Sequence, residues 1–146
     1  MRADEDSYDL YVRGQELLGG GHAAAAAVVL ARLADREPDS RAAHELLARA
    51  LFDAGRYAEA GQEFALLLDL APDDDYAHFG RGSALWRLQQ FREAEEELAM
   101  AAVMRPGRRD YARALQQVRA TLRARQEAGL PSDGPISGHR PEGTTL

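Results

Sequence analysis

Pro38, Pro72 and Pro106 stand 34 residues apart, and the residue types between them recur in step with them. Self-similarity at a period of that length marks an array of helix-turn-helix units, each too small to bury its apolar face except against its neighbours. With units counted from Ser7, Arg41 and Asp75, unit position 8 reads Gly14, Ala48, Gly82 and position 11 reads Leu17, Leu51, Leu85. Position 20 reads Ala26, Ala60, Ala94, and position 24 reads Leu30, Phe64, Leu98. Small residues stand where two helices must approach closely, and large apolar ones where the gap must be filled.

In this register the chain resembles the tetratricopeptide repeat family, whose pattern places Trp, Leu-Gly, Tyr, Ala, Phe and Pro at unit positions 4, 7-8, 11, 20, 24 and 32. The resemblance covers Ser7 to Pro106 and is best at the small and proline positions. It departs at position 4, where Leu10, His44 and His78 replace Trp, and at position 7, where Arg13 and Arg81 replace Leu in two units. It implies an all-α solenoid of the TPR type, a right-handed superhelix of antiparallel helix pairs, with repeats at 7–40, 41–74 and 75–108.

Each unit is expected to run helix A, turn, helix B, proline. Pro38-Asp39-Ser40 and Pro72-Asp73-Asp74-Asp75 supply capping oxygens for the next helix A. The turns inside the units are Gly19-Gly20-Gly21, Gly55-Arg56 and Gln89-Gln90. Beyond Pro106, Tyr111, Leu115, Val118 and Leu122 recur at helical spacing, which places a solvating end helix at 108–128 and closes a repeat domain of 7–128. Residues 129–146 are rich in Gly and Pro and poor in large apolar side chains, so they read as a disordered tail. Residues 1–6 read as a flexible terminus.

Composition excludes several classes of chemistry. The 146 residues contain no cysteine, so neither disulfides nor thiolate catalysis is open to them. The acidic start, Met1-Arg2-Ala3-Asp4-Glu5-Asp6, is no signal peptide, and no stretch approaches the ~18 apolar residues of a membrane span. A cytoplasmic address is the expectation. All 18 basic residues are Arg and Asn is absent, which fits the codon usage of a G+C-rich bacterial source. His44-Glu45-Leu46-Leu47-Ala48 begins like a zinc helix, but Ala48 stands where the second histidine belongs. Gly19-Gly20-Gly21-His22 lacks the Lys-Ser/Thr of a phosphate loop, and no Gly-x-Ser-x-Gly elbow occurs. No enzyme, metal or cofactor, and no small-molecule substrate, is expected.

Binding is the remaining function. In the family, unit positions 2, 5, 9, 12 and 13 face ligand from the A helices that line the concave surface. Carried onto this chain, the resemblance implicates Tyr8, Tyr11 and Gln15 in the first unit, Arg49 and Phe52 in the second, and Tyr76, Phe79, Trp86 and Arg87 in the third. The end helix adds Arg113 by continuation. Six of the chain's ten aromatic residues fall in this set, more than a solvated face needs. Phe52 and Trp86, late in their helices, read equally well as core, and Arg49 as the partner of Glu45 one turn before it. Members that clamp the carboxylate end of chaperone tails use Lys and Asn at inner positions that here hold Tyr11, Gln15, Leu46, Tyr76 and Gly80, so that clamp is missing.

Charge is divided along the chain. Residues 1–100 carry 20 acids and 10 Arg, a net of −10, while residues 101–146 carry 8 Arg and 4 acids, a net of +4. The acidic body disfavours nucleic acid, and the Arg-rich end is available for self-association with Glu93, Glu95, Glu96 and Glu97 of another copy. The expectation is a non-enzymatic scaffold or adaptor for a peptide or protein segment, acidic or held by its C-terminal carboxylate. The alternatives are a structural subunit of a stable complex and a chaperone for a secreted client.

Overall fold

In a computed structural model, residues 6–136 are described and form seven α-helices, with no strand among them. They are α1 (Ser7–Gly19), α2 (Ala23–Arg36), α3 (Arg41–Asp53), α4 (Tyr57–Leu70), α5 (Asp75–Arg87), α6 (Phe91–Met104) and α7 (Arg109–Glu127). The A helices start at Ser7, Arg41, Asp75 and Arg109 and the B helices at Ala23, Tyr57 and Phe91, so the period of the sequence is the period of the structure. Each helix packs on its neighbours in the chain, and α1, α3, α5 and α7 also touch one another in that order.

Local chemistry sets these boundaries. Ser40 and Asp74 cap α3 and α5 by accepting from the Ala43 and Ala77 N–H groups, while Asp39 takes no part in a cap. Asp6 accepts from the Asp9 N–H and completes a reciprocal capping box, so the last residue of the segment read as flexible is fixed to α1. The inner turns reverse at unit position 15 in the left-handed region, with φ of +85° at Gly21, +81° at Gly55 and +60° at Gln89.

Close packing explains the small residues. A Cβ on Gly14 would stand 2.3 Å from Leu30 Cδ2, and one on Gly82 would stand 2.7 Å from Leu98 Cγ. Gly80 does the same one repeat further on, since its missing Cβ would lie 2.3 Å from Phe64 Cζ. Where position 24 carries Phe instead of Leu, the next helix A has surrendered its side chain.

Two expectations change at the C-terminal end. The described part of the tail, Gly129–Ile136, docks on the repeats instead of running free: the Gly134 N–H donates to the Gln89 carbonyl and the Arg92 N–H to Asp133 Oδ1. Arg125 holds the same segment, donating to the Pro131 and Gly134 carbonyls at 3.0 and 2.6 Å while lying over the Phe91 ring. It is only 6% exposed, so α7 is not a purely solvated cap. Residues 1–5 and 137–146, the rest of both terminal segments, lie outside the described residues.

Candidate functional site

The face made by α3, α5 and α7 carries two adjoining hollows. The first, of about 360 Å³, is lined by Arg49, Phe52, Asp53, Phe64, Tyr76, Phe79, Gly80 and Ser83. The second, of about 310 Å³, shares Phe52 and Ser83 with it and adds Trp86, Arg87, Leu98, Ala114 and Gln117. Together they form one trough along α5. Arg49, Phe52, Tyr76, Phe79, Trp86 and Arg87 therefore come together as lining residues. Tyr8, Tyr11, Gln15 and Arg113 line neither hollow: Tyr8 is 71% exposed on α1, Tyr11 packs half-buried against the core, and Gln15 and Arg113 are exposed.

None of the lining rings is a free surface group. Tyr76 meets Phe64 edge to face at 5.9 Å, Phe79 stacks on Tyr111 at 4.7 Å, and Trp86 meets Phe91 at 5.0 Å. Each is half-buried, with one flank in a core cluster and the other in the trough. Rings locked in this way present apolar area without losing rotamer freedom on binding. Burial pushes the Tyr76 hydroxyl pKa up, against the pull of the nearby Arg49 guanidinium.

The arginines differ from one another. Arg87 is exposed but engaged within the chain, lying over the rings of Phe52 and Tyr57 and donating to the Tyr57 hydroxyl at 2.7 Å. Arg49 makes no ion pair within 4 Å among the described residues, so the expected contact with Glu45 is not formed. Glu45 is raised above the ordinary carboxylate range by burial and by Asp74, with Arg49 and Arg41 opposing. Arg113 is likewise unpaired among the described residues. Two of the four acids expected to serve self-association are instead engaged within the chain: Glu95 accepts from Arg119, and Glu97 from His78 and Arg81.

The histidines are internal clasps. His44 Nδ1 lies 2.7 Å from Glu63 Oε1 and Nε2 2.7 Å from the Pro38 carbonyl, and His78 repeats this with Glu97 and the Pro72 carbonyl at 2.7 and 3.1 Å. No group of three or more metal-ligating side chains exists among the described residues. None of their helices is long and apolar enough to cross a membrane.

Sequence reasoning missed Leu98 and Ala114 in the second hollow and Phe64 and Gly80 in the first, since Phe64 reads as a packing position and Gly80 only as an inner position that lacks the clamp residue. The signal of Phe64 and Gly80 was joint: a Phe at position 24 followed by a Gly at position 6 of the next unit.

The tetratricopeptide repeat profile matches residues 11–75 and 64–109. The chain belongs to the tetratricopeptide repeat family. No protein of curated function matches it in sequence. Among solved structures, the first TPR domain of Spaghetti (RPAP3), bound to the HSP90 peptide SRMEEVD, aligns with a TM-score of 0.77 and 20% identity, over 82% of this chain and 94% of that one. The first TPR domain of human RPAP3 gives 0.76 and 19%, over 85% and 98%. MamA from Desulfovibrio magneticus RS-1 gives 0.78 and 21%, over 86% and 71%. At these identities the likeness of this tetratricopeptide repeat protein to them is one of fold.

Proposed function

We propose that this tetratricopeptide repeat protein is an adaptor that works by recognition and not by turnover, holding a peptide or protein segment across α3, α5 and α7. The observation that carries the reading is the trough along α5, where half-buried rings adjoin an Arg49 guanidinium that has no carboxylate of the described residues within 4 Å. Apolar walls beside one unpaired cation suit a segment bearing a carboxylate, either on a side chain or at its C-terminus. The chaperone peptides held by the RPAP3 domains supply an analogy of fold for that mode of binding. Lys is absent from the chain, so carboxylate recognition rests on guanidinium groups, which pair bidentately.

The test is affinity capture from the source cell with the wild type and with Arg49→Glu, an exposed position whose replacement leaves the packing intact. A partner retained by the wild type and lost from the equally folded variant supports the groove. Equal capture by both places binding elsewhere on the molecule.

A further inference from the structure

Half of the large apolar side chains that stand exposed among the described residues lie on two successive B helices. They are Leu66 and Leu70 on α4, 45% and 38% exposed, and Met100 and Val103 on α6, 46% and 77% exposed. Each pair is spaced three or four residues apart and so shares a helix face, and none of the four lines the trough. Both helices pack on α5, and the turns that follow them adjoin, since Arg105 Nε lies 3.5 Å from Asp75 Oδ1. These ends carry opposite charge: Asp69, Asp73, Asp74 and Asp75 after the first pair, and Arg105, Arg108 and Arg109 after the second. The sign changes only here, because unit positions 29 and 33 hold Asp35 and Asp39, then Asp69 and Asp73, but Val103 and Gly107 in the third repeat. Asp74 is spent on the α5 cap and Arg108 on Asp110. Asp69, Asp73 and Arg109 are exposed, and none makes an ion pair within 4 Å among the described residues.

We propose that this surface pairs with the same surface of a second copy, as a two-fold dimer. A partner of one charge sign would be drawn to one turn and repelled by the other. A second copy, turned about a two-fold axis, brings both signs in reversed order, so that Asp69 and Asp73 of each copy meet Arg109 of the other. The exposed apolar side chains of the two copies then cover one another around the axis and supply the affinity, while the exposed ion pairs add little energy and set the register. The trough is left open, so the dimer presents two of them and holds a divalent partner by avidity. The pairing itself does not depend on what the trough binds.

Sedimentation of the full chain at low ionic strength tests this. The expected result is a monomer–dimer equilibrium that added salt weakens. Val103→Glu raises its dissociation constant by about tenfold or more. Asp73→Arg and Arg109→Asp each weaken it likewise, because each variant sets like charges against its own twin. Mixed in equal amounts, these two variants pair with each other, since each brings the charge that the other lacks, and native mass spectrometry identifies the heterodimer by its mass. That recovery keeps the test decisive, because variants that had merely misfolded would not pair. A chain that stays monomeric at about 500 µM overturns the dimer and leaves the patch to a different protein. A dimer indifferent to Val103→Glu and to both charge reversals lies on another surface and overturns the proposal. A dimer broken by Val103→Glu whose charge-reversed variants fail to pair overturns the two-fold register.

Discussion

His44 and His78 occupy unit position 4 in successive repeats, and each ties the proline carbonyl before its helix to a glutamate on the following helix B. In the first repeat the same two positions hold Leu10 and Val29, both buried. One geometric slot is thus filled by an apolar pair once and by an imidazole-carboxylate pair twice. Both nitrogens of His44 face acceptors, so both are satisfied only when the ring is protonated. Burial opposes that charge, but the Glu63 carboxylate and the Pro38 carbonyl outweigh it and hold the pKa above the ordinary 6.5. A raised folded-state pKa contributes stability in full below the unfolded value, and that stability is lost as the pH rises through the folded one. Unfolding free energy is therefore expected to fall as the pH rises above about 6.5, the ordinary histidine value. His44→Leu alone strands Glu63 and should cost about 1–3 kcal/mol near neutral pH. Adding Glu63→Val rebuilds the Leu10–Val29 arrangement, and should recover most of that loss and flatten this part of the pH profile in denaturant titrations. At Gln89 the left-handed backbone carries a side chain where the other units use Gly21 and Gly55. Gln89→Gly should raise stability by about 0.5–1 kcal/mol, the strain relieved less the entropy added.

At the level of elements, α7 departs from the repeat. It runs 19 residues where α1, α3 and α5 run 13, and so passes the point at which the other A helices turn. In place of a fourth helix B, the chain folds back as Gly129–Ile136 and gives α6 a capping carboxylate from Asp133 that its own N-cap residue, Gln90, does not provide. Buried Arg125 is the rivet, and its partners are main-chain carbonyls of that segment. Ending the chain at Ala128 leaves this guanidinium without those bonds and should cost about 1–3 kcal/mol, seen as a lower melting temperature. The other end of α7 is tied by Tyr111, fully buried, stacked on Phe79 and donating to Asp75 Oδ2 at 2.7 Å. Burial and Asp75 push its hydroxyl pKa well up, so the bond persists across the physiological range. Tyr111→Phe removes the donor while keeping the ring, and should lower stability by about 1 kcal/mol with α7 still docked.

Across the whole molecule the core falls into two clusters. One runs from Leu10 through Ala77 and joins the first two repeats to the start of α5, while the other joins Leu85, Phe91, Ala94, Leu98 and Val118. The trough lies where they meet, since Phe52 and Tyr76 pack on the first and Phe79 and Trp86 on the second. In a solenoid each unit is held mainly by its neighbours, so the smaller cluster opens first. Native-state hydrogen exchange should show α6 and α7 opening at lower free energy than α3 and α4. A ligand spanning the trough should raise protection in both clusters together, because it is bound only when both are folded.

Helix number, repeat register, turn positions and the close approaches at Gly14 and Gly82 were legible in the sequence, because each depends on residues within one repeat period and steric rules act locally. The aromatic character of the A-helix face was legible for the same reason. Which rings and cations are free to meet a partner was not. Arg87 is drawn to Tyr57 thirty residues earlier, Arg49 forms no ion pair with Glu45 within 4 Å, and Gly80 matters only because Phe64 from the previous repeat enters its space. The docked Gly129–Ile136 segment was invisible as well, since its composition is that of a loop and its order comes from Arg125, Gln89 and Arg92. The periodic pattern thus determined the scaffold through local packing and backbone rules. Contacts between repeats, which that pattern does not encode, decided the pairing of each charge, the shape of the trough and the end of the array.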